Sequence, residues 1–149
     1  YLNKILFDRD VLCIVVADGK SPKTGIIFSL KTNWNVISID PIMETEWTEK
    51  KIMDNLTCYR SLVEDKIDDI LDVHKDVKQI VLINVHSHAN TNQIWNKVIE
   101  NRDDKGIFCL SIPCCPGYTH LVKNLEPTFC EVDNGIASQK NKIYLWKHN

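Results

Sequence analysis

The sequence predicts an α/β protein with a doubly wound, mostly parallel sheet that closes with a C-terminal antiparallel β-hairpin. Apolar runs typical of buried strands alternate with helix-like segments along most of the chain. From Pro127 the pattern changes, because two strand-like runs follow each other with only a polar turn between them. Helical crossovers make successive strands parallel, whereas a short turn makes its two strands antiparallel. Together these observations predict the mixed sheet.

Five strands are predicted before the hairpin. They are DVLCIVVAD, WNVISID from Trp34 to Asp40, TCYRSLVED, VKQIVLINVHSHAN from Val77, and GIFCLSIPCC from Gly106. Continuous runs of Val, Ile and Cys are typical of strands that are buried on both faces. We therefore expect the first and second segments to be buried strands.

The segments between these strands predict the crossover helices. They are KTGIIFSLKT, TEWTEKKIMDNL with its N-cap threonine, DKIDDILDVHKD, and TNQIWNKVIENR. The third helix is expected to carry one stripe of Ile67, Ile70, Leu71 and His74, and the fourth to direct Ile94, Trp95, Val98 and Ile99 inward.

At 149 residues the chain has the size of one domain, which we assign to residues 1–149. Because it begins with Tyr1 and not with methionine, we expect a trimmed chain or a piece of a larger protein. The net charge of −2 excludes a global basic field for nonspecific nucleic-acid binding but leaves room for a local basic patch.

The apolar runs and the cysteines predict where the protein resides. The runs stop well short of the roughly 18 residues of a membrane span, and the N-terminus lacks the pattern of a signal peptide. Four of the six cysteines stand in strand-like segments as small hydrophobic residues, which is the usual intracellular pattern. We therefore expect a cytoplasmic protein without membrane contact.

The first strand runs into the loop ADGKSPKTG. Its GKS does not complete a P-loop, because the required earlier glycine would fall on Ile14 inside the strand, and no dinucleotide fingerprint is present. Two interpretations remain. The amides at the start of the next helix, with a flanking lysine, are suited to an anion such as a carboxylate. Alternatively, Gly19 and Pro22 only make the turn.

Acidic residues follow the next two strands. Asp40 ends the second strand about twenty residues after the first loop, where nucleotide-binding sheets hold the hydroxyl pair of a ribose. The alternative for Asp40 is an N-cap role before PIME. Glu64 and Asp65 follow the third strand and are candidate acceptors for an adenine amino group, with an N-cap role as the alternative for Asp65.

Imidazoles and thiols follow the fourth and fifth strands. His86 and His88 stand in NVHSHAN, and Cys114 and Cys115 stand in SIPCC. Two imidazoles and two thiols would suit tetrahedral zinc, but adjacent cysteines seldom bind one ion together, so we predict no metal. A substrate-facing polar loop and a purely structural role are the alternatives. A cysteine nucleophile activated by His86 is a further hypothesis, although no hydrolase signature surrounds it.

With these motifs the chain resembles the class I S-adenosylmethionine-dependent methyltransferases. The opening strand, loop and helix, the acid of SIDP and the terminal hairpin extend the resemblance over essentially the whole chain. NVHSHAN followed by SIPCC is similar to the HxCG and PCC loops of a branch that includes RNA-modifying members. The resemblance implies the methyltransferase-type sheet, S-adenosylmethionine as cofactor, methyl transfer as activity and RNA as substrate class. It departs from the family in the first loop, where lysine and proline replace glycines.

That departure supports a second hypothesis, in which the domain is catalytically inactive and serves as an interaction or scaffold module for other domains of a larger protein. For an active domain, the resemblance implies cofactor binding by Asp18, Gly19, Lys20, Ser21, Asp40 and Asp65. It implies substrate binding by Asn84, Asn90, Cys114 and Cys115. His86 and His88 are the candidate general bases, because imidazole titrates near physiological pH.

Overall fold

The computed structural model describes residues 8–114, 121–136 and 140–148. Seven strands are present: β1 Val11–Val16, β2 Asn35–Ile39, β3 Leu56–Tyr59, β4 Gln79–Val85, β5 Gly106–Ile112, β6 Phe129–Val132 and β7 Lys142–His148. The helices in these residues are α1 Lys23–Lys31, α2 Thr45–Glu49, α3 Val63–Val73 and α4 Thr91–Arg102.

The strands form one sheet in the order β3-β2-β1-β4-β5-β7-β6. Strands β1 to β5 are parallel, and β7 runs antiparallel to both β5 and β6. This confirms the predicted mixed sheet with its C-terminal hairpin. Because β1 pairs with β2 on one side and with β4 on the other, the chain reverses direction across the sheet there. A crevice is therefore expected at the carboxyl ends of β1 and β4.

Both faces of the sheet are covered. One face packs on α3 and α4, where Ile67 and Trp95 meet the even-numbered residues of β1. The opposite face packs on α1 and on the segment that follows β2, and there the rings of Phe28 and Trp34 stack with centroids 5.7 Å apart. Every residue of β1 is at most 1% exposed, as its continuous apolar run predicts.

The predicted inward stripes of α3 and α4 are confirmed. Ile67, Ile70, Leu71, Ile94, Trp95 and Val98 are buried, and Ile99 packs partly against the same core. His74, the last residue of the predicted stripe, caps the C-terminus of α3 and is half-buried, and this burial lowers its pKa. In the described part of the chain, no helix is long and apolar enough to cross a membrane.

Several predicted elements have wrong bounds. The fourth predicted strand ends at Val85 and not at Asn90, and the fifth ends at Ile112 and not at Cys115. TEWTEKKIMDNL is helical only over Thr45–Glu49, because the residues after it extend across the sheet edge. There the side-chain amide of Asn55 donates to the carbonyl oxygens of Ser29 and Trp34, both at 3.1 Å. The third strand, expected to continue to Asp65, ends at Tyr59, because Val63 turns into the core in the first turn of α3.

Helix α1 lies unusually close to β2. A Cβ atom added at Gly25 would be 2.9 Å from the Cβ of Ser38 and 3.2 Å from the Cδ1 of Leu56. The Ser38 Cβ is attached directly to a strand backbone, so it has little freedom to move away. The missing side chain of Gly25 therefore sets the distance between the helix and the sheet.

We predict that Gly25→Ala destabilises the fold by about 1 to 3 kcal/mol, the usual range for overpacking. The sign of this stability change is informative, because a glycine-to-alanine change inside an unconstrained helix stabilises the helix by up to about 1 kcal/mol. Urea denaturation measures the effect, and a loss of about 2 to 4 °C in Tm per kcal/mol should accompany it. Gly106→Ala is the control, since its added Cβ would meet the Cγ of Gln79 at an ordinary 3.6 Å. Equal stability of Gly25→Ala and the wild type would contradict the close packing.

Candidate functional site

A cavity of about 450 Å³ lies at the carboxyl ends of the central strands. Its lining comes from the ends of β1 and β2, from the residues between β3 and α3, and from the loop after β4. This is the crevice at which doubly wound sheets bind their ligands. The volume is within the range of small-molecule sites, roughly 300 to 1,000 Å³.

Asp40 is the buried acid of this cavity. It is 6% exposed, and its Oδ2 accepts a hydrogen bond from the backbone N–H of Gly19 at 2.8 Å, while its Oδ1 accepts one from Ile42 at 2.8 Å. These two bonds fix the loop after β1 against the loop after β2. Each carboxylate oxygen can accept a second hydrogen bond, so Asp40 can also accept from a hydroxyl group in the cavity.

Asp18 has a different environment. Its Oδ1 accepts from the N–H of Thr24 at 3.0 Å, and its Oδ2 accepts from the N–H of Gly25 at 2.8 Å and from the hydroxyl of Ser38 at 2.9 Å. The anion that the sequence predicts at the start of α1 is therefore provided by the chain itself. Asp18 does not line the cavity, and neither do Gly19, Lys20 and Ser21.

The acids after β3 divide in a similar way. Glu64, in the first turn of α3, lines the cavity, whereas its neighbour Asp65 is exposed and lies outside the lining. The side chains of consecutive helical residues point about 100° apart, so only one of the two can face the site. The structure thus favours Glu64 over Asp65 as a group that can meet a ligand.

The loop after β4 brings two imidazoles to the cavity. His86 and His88 both line it, together with Asn90, which caps α4 by accepting from the N–H of Gln93 at 3.1 Å. The Nε2 of His88 lies 3.4 Å from the Sγ of Cys114 at the end of β5. His88 is thereby directed towards β5, as expected when neighbouring parallel strands end at one edge.

Two residues beside the cavity have left-handed backbone conformations. They are Ala17 with φ 55° and His86 with φ 52°, and neither is a glycine. The N–H of His86 donates to the carbonyl oxygen of Ile112 at 2.9 Å and holds the loop in place. Such backbone outliers are typical of functional positions, because the surrounding structure must maintain them.

The other predicted substrate residues lie elsewhere. Asn84 is 2% exposed inside β4, where its side-chain N–H donates to the Sγ of Cys109 at 3.5 Å and its Oδ1 is without a hydrogen-bond partner in the described residues. Cys114 is half-buried beside His88 but does not line the cavity, and Cys115 lies outside the described residues. Within residues 8–114, 121–136 and 140–148, no three His, Cys, Asp or Glu side chains are grouped to hold a metal ion.

Sequence reasoning missed two apolar residues of the site. Ile42 and Leu62 line the cavity and are 56% and 52% exposed. Ile42 stands two positions after Asp40, and Leu62 stands directly before α3. Large apolar side chains beside a cavity indicate a surface that a ligand can cover. An isoleucine directly after a strand-end acid and proline is the signal that could have found the first of them.

Of the comparisons with known proteins, the comparison with solved structures supports the observed fold. No protein-family model and no curated protein matches the chain. Among solved structures, the chain is similar to a point mutant of MtNAS, with a TM-score of 0.56 and 14% sequence identity over 99% of this chain. The chain spans only 57% of the MtNAS chain. At this identity the likeness shows the fold alone, which is Rossmann-like.

Burial separates the cysteines into two groups. Burial raises the pKa of Cys58 to about 11, with a smaller contribution from the negative charge of Asp18. It raises the pKa of Cys109 to about 12 and that of Cys13 further still. Because the thiolate is the reactive form, these three thiols should be inert in the folded protein.

We predict that iodoacetamide at about pH 8 alkylates Cys114 and Cys130 in the native protein and leaves Cys13, Cys58 and Cys109 unmodified. Cys130 is exposed and Cys114 is half-buried at the rim of the site. Mass spectrometry of the digested protein measures the modification, with alkylation in denaturant as the control in which all six cysteines of the sequence react. Native alkylation of Cys109 at the rate of Cys130 would be incompatible with the fold.

Proposed function

We propose that the protein binds S-adenosylmethionine in this cavity and transfers its methyl group. The observation that carries the proposal is the combination of a buried acid at the end of β2 with two exposed apolar side chains on the same cavity. A nucleoside needs acceptors for its ribose hydroxyls and an apolar slot for its base. The cavity offers both at the point where doubly wound sheets bind nucleotides.

The lining residues fit a nucleoside in detail. Asp40 keeps acceptor capacity after its two backbone hydrogen bonds and would hold the ribose. Ile42 and Leu62 would contact the faces of the adenine, and the carboxylate of Glu64 is available to its amino group. Each of these groups already lines the cavity.

The solved relative supports the same class of cofactor. MtNAS is a nicotianamine synthase that uses S-adenosylmethionine. The shared fold supports only the cofactor class for this chain, because fold similarity alone does not carry a reaction or a substrate.

The chemistry requires little from the protein. S-adenosylmethionine, when bound, supplies a methyl group on a positively charged sulfur that a nucleophile attacks in line. Alignment of the reactants provides most of the acceleration, so few catalytic side chains are necessary. His88 lines the cavity beside Cys114 and would take the proton from the acceptor. Asp18 and Asp40 hold the loops rigid and thereby keep the cavity walls in position.

We propose RNA as the acceptor. A groove of about 910 Å³ lies between residues 121–127 and β7. In it, Tyr144 stacks on Trp146 with ring centroids 5.7 Å apart, and the Nζ of Lys142 lies 5.1 Å from the Tyr144 ring centroid. Because Trp146 is buried, Tyr144 with the adjacent Lys142 is the contact that this groove offers to single-stranded nucleic acid. Tyr144 is opposite Ser111 near the carboxyl end of β5, the same end as His88 and Cys114.

The alternative is an inactive interaction or scaffold module, and the altered first loop supports it. The two functions differ in one direct observable, which is binding of the cofactor. Calorimetric titration with S-adenosylmethionine and S-adenosylhomocysteine separates them, because the scaffold hypothesis predicts neither heat nor a thermal shift.

We predict that the double variant Ile42→Ser, Leu62→Ser binds S-adenosylmethionine at least about tenfold more weakly. Covering either side chain with a ligand is worth about 1 to 2 kcal/mol, and both are lost. Because the two side chains are exposed, the Tm without ligand should change little. Ile27→Ser is the matched control, since Ile27 is 58% exposed on α1 and does not line the cavity. An equal loss of affinity in Ile27→Ser would refute the assignment of the base site.

We predict that Lys142→Gln weakens binding of a single-stranded RNA oligonucleotide and lowers the slope of log affinity against log salt by about 1. Fluorescence anisotropy across a salt series measures both quantities. Lys78→Gln is the control, because Lys78 precedes β4 at the opposite end of the sheet and pairs with Asp10 at 2.5 Å. If the Lys142→Gln and Lys78→Gln variants bind the oligonucleotide with the same affinity and the same salt slope, the groove is not the RNA surface.

A further inference from the structure

Three backbone donors at the first loop and the start of α1 are already occupied. The N–H groups of Thr24 and Gly25 at the start of α1 donate to Asp18. The N–H of Gly19 donates to Asp40. In this position of a doubly wound sheet, free amides would ordinarily attract the anionic part of a ligand. Here the chain's own carboxylates accept from these three amides, and residues 18–21 do not line the cavity, so we expect an anionic group of a ligand in the cavity to meet other residues.

The charged side chains around the cavity limit which residues can bind the anionic group of a ligand. Asp40 and Glu64 bring negative charge, and the described residues that line the cavity include neither lysine nor arginine. Lys20 is exposed and lies outside the lining. A carboxylate beside two acids is unfavourable without a cationic partner. The imidazoles of His86 and His88 lie in the lining, and an imidazole N–H can donate a hydrogen bond to a carboxylate.

The two histidines are not equivalent. The Nε2 of His88 is directed at the Sγ of Cys114, towards the end of β5. His86 directly follows β4, and β4 is the sheet neighbour of β1, whose end forms the cavity wall at Val16. Its left-handed backbone, held by the bond from its N–H to Ile112, turns the residue out of the strand direction.

We infer that His86 binds the carboxylate of the amino-acid tail of the cofactor. The inference rests on the proposed function, because it takes S-adenosylmethionine as the ligand. It makes His86 a binding residue that determines specificity, and it leaves proton transfer to His88. The imidazole thereby replaces the loop amides that Asp18 and Asp40 occupy.

Two ligands that differ only in the carboxylate test the inference. Calorimetry is used to measure the affinities for S-adenosylhomocysteine and for its decarboxylated analogue, which keeps the ammonium group. We expect the wild type to prefer S-adenosylhomocysteine by about tenfold or more, the usual effect of a charge-assisted hydrogen bond. His86→Asn should abolish this preference by weakening S-adenosylhomocysteine alone. Asparagine is suitable because it tolerates a left-handed backbone.

The control is His88→Asn, which should keep the preference. Equal affinity of the wild type for the two ligands would overturn the inference while the proposed cofactor site remained supported. A His86→Asn variant that loses affinity for both ligands to the same extent would also overturn it, since that result indicates a structural role. If the wild type binds neither ligand, the proposed function itself fails.

Discussion

The carboxylate of Asp18 is the interaction on which the arrangement of the site depends. It accepts hydrogen bonds from two amides of α1 and from the hydroxyl of Ser38 on β2. A charged acceptor at a helix N-terminus satisfies backbone donors and interacts favourably with the helix dipole. Because Gly25 lets α1 approach β2 closely, the same carboxylate reaches the helix and the strand at once. The first loop is therefore ordered by the protein alone.

The cavity has two sides that differ in charge. Asp40 and Glu64 place negative charge on the side of β2 and α3, next to the apolar Ile42 and Leu62. The loop after β4 places two imidazoles, of His86 and His88, on the other side. A neutral nucleoside with hydroxyl and amino donors suits the acidic and apolar side, whereas an anionic group suits the imidazoles. The cavity can thus orient a ligand whose two ends differ in charge.

The sequence predicts the central elements well, because their burial leaves few alternatives. The apolar runs of β1 and β4 fit only strands that are covered on both faces, and α4 begins and ends where its polar cap and helical stripe indicate. The short α2 was not predictable from its own residues. It ends because the side chain of Asn55, a residue distant from Ser29 and Trp34 in sequence, ties the following segment to them.

The sequence predicts which strand ends form the candidate site. It does not predict which side chains at those ends point into the cavity. Parallel topology alone brings Asp40, His86, His88 and Asn90 to one edge, and these residues line the cavity. Whether a side chain faces the cavity changes within one or two residues along the chain. Asn84 lies two residues before His86, yet it belongs to the strand and is buried in the sheet.

The altered first loop has a physical explanation that bears on activity. Pro22 is buried at the N-terminus of α1, and Lys20 and Lys23 are exposed outside the cavity lining. Gly19 has a φ of 88°, and the space where its side chain would stand is empty to 4 Å. The proline and lysines therefore lie away from the cavity, and the glycine that remains is the one whose backbone requires it. Because three amides at this loop and the start of α1 already donate to Asp18 and Asp40, the proposed cofactor would have its anionic group recognised by the loop after β4.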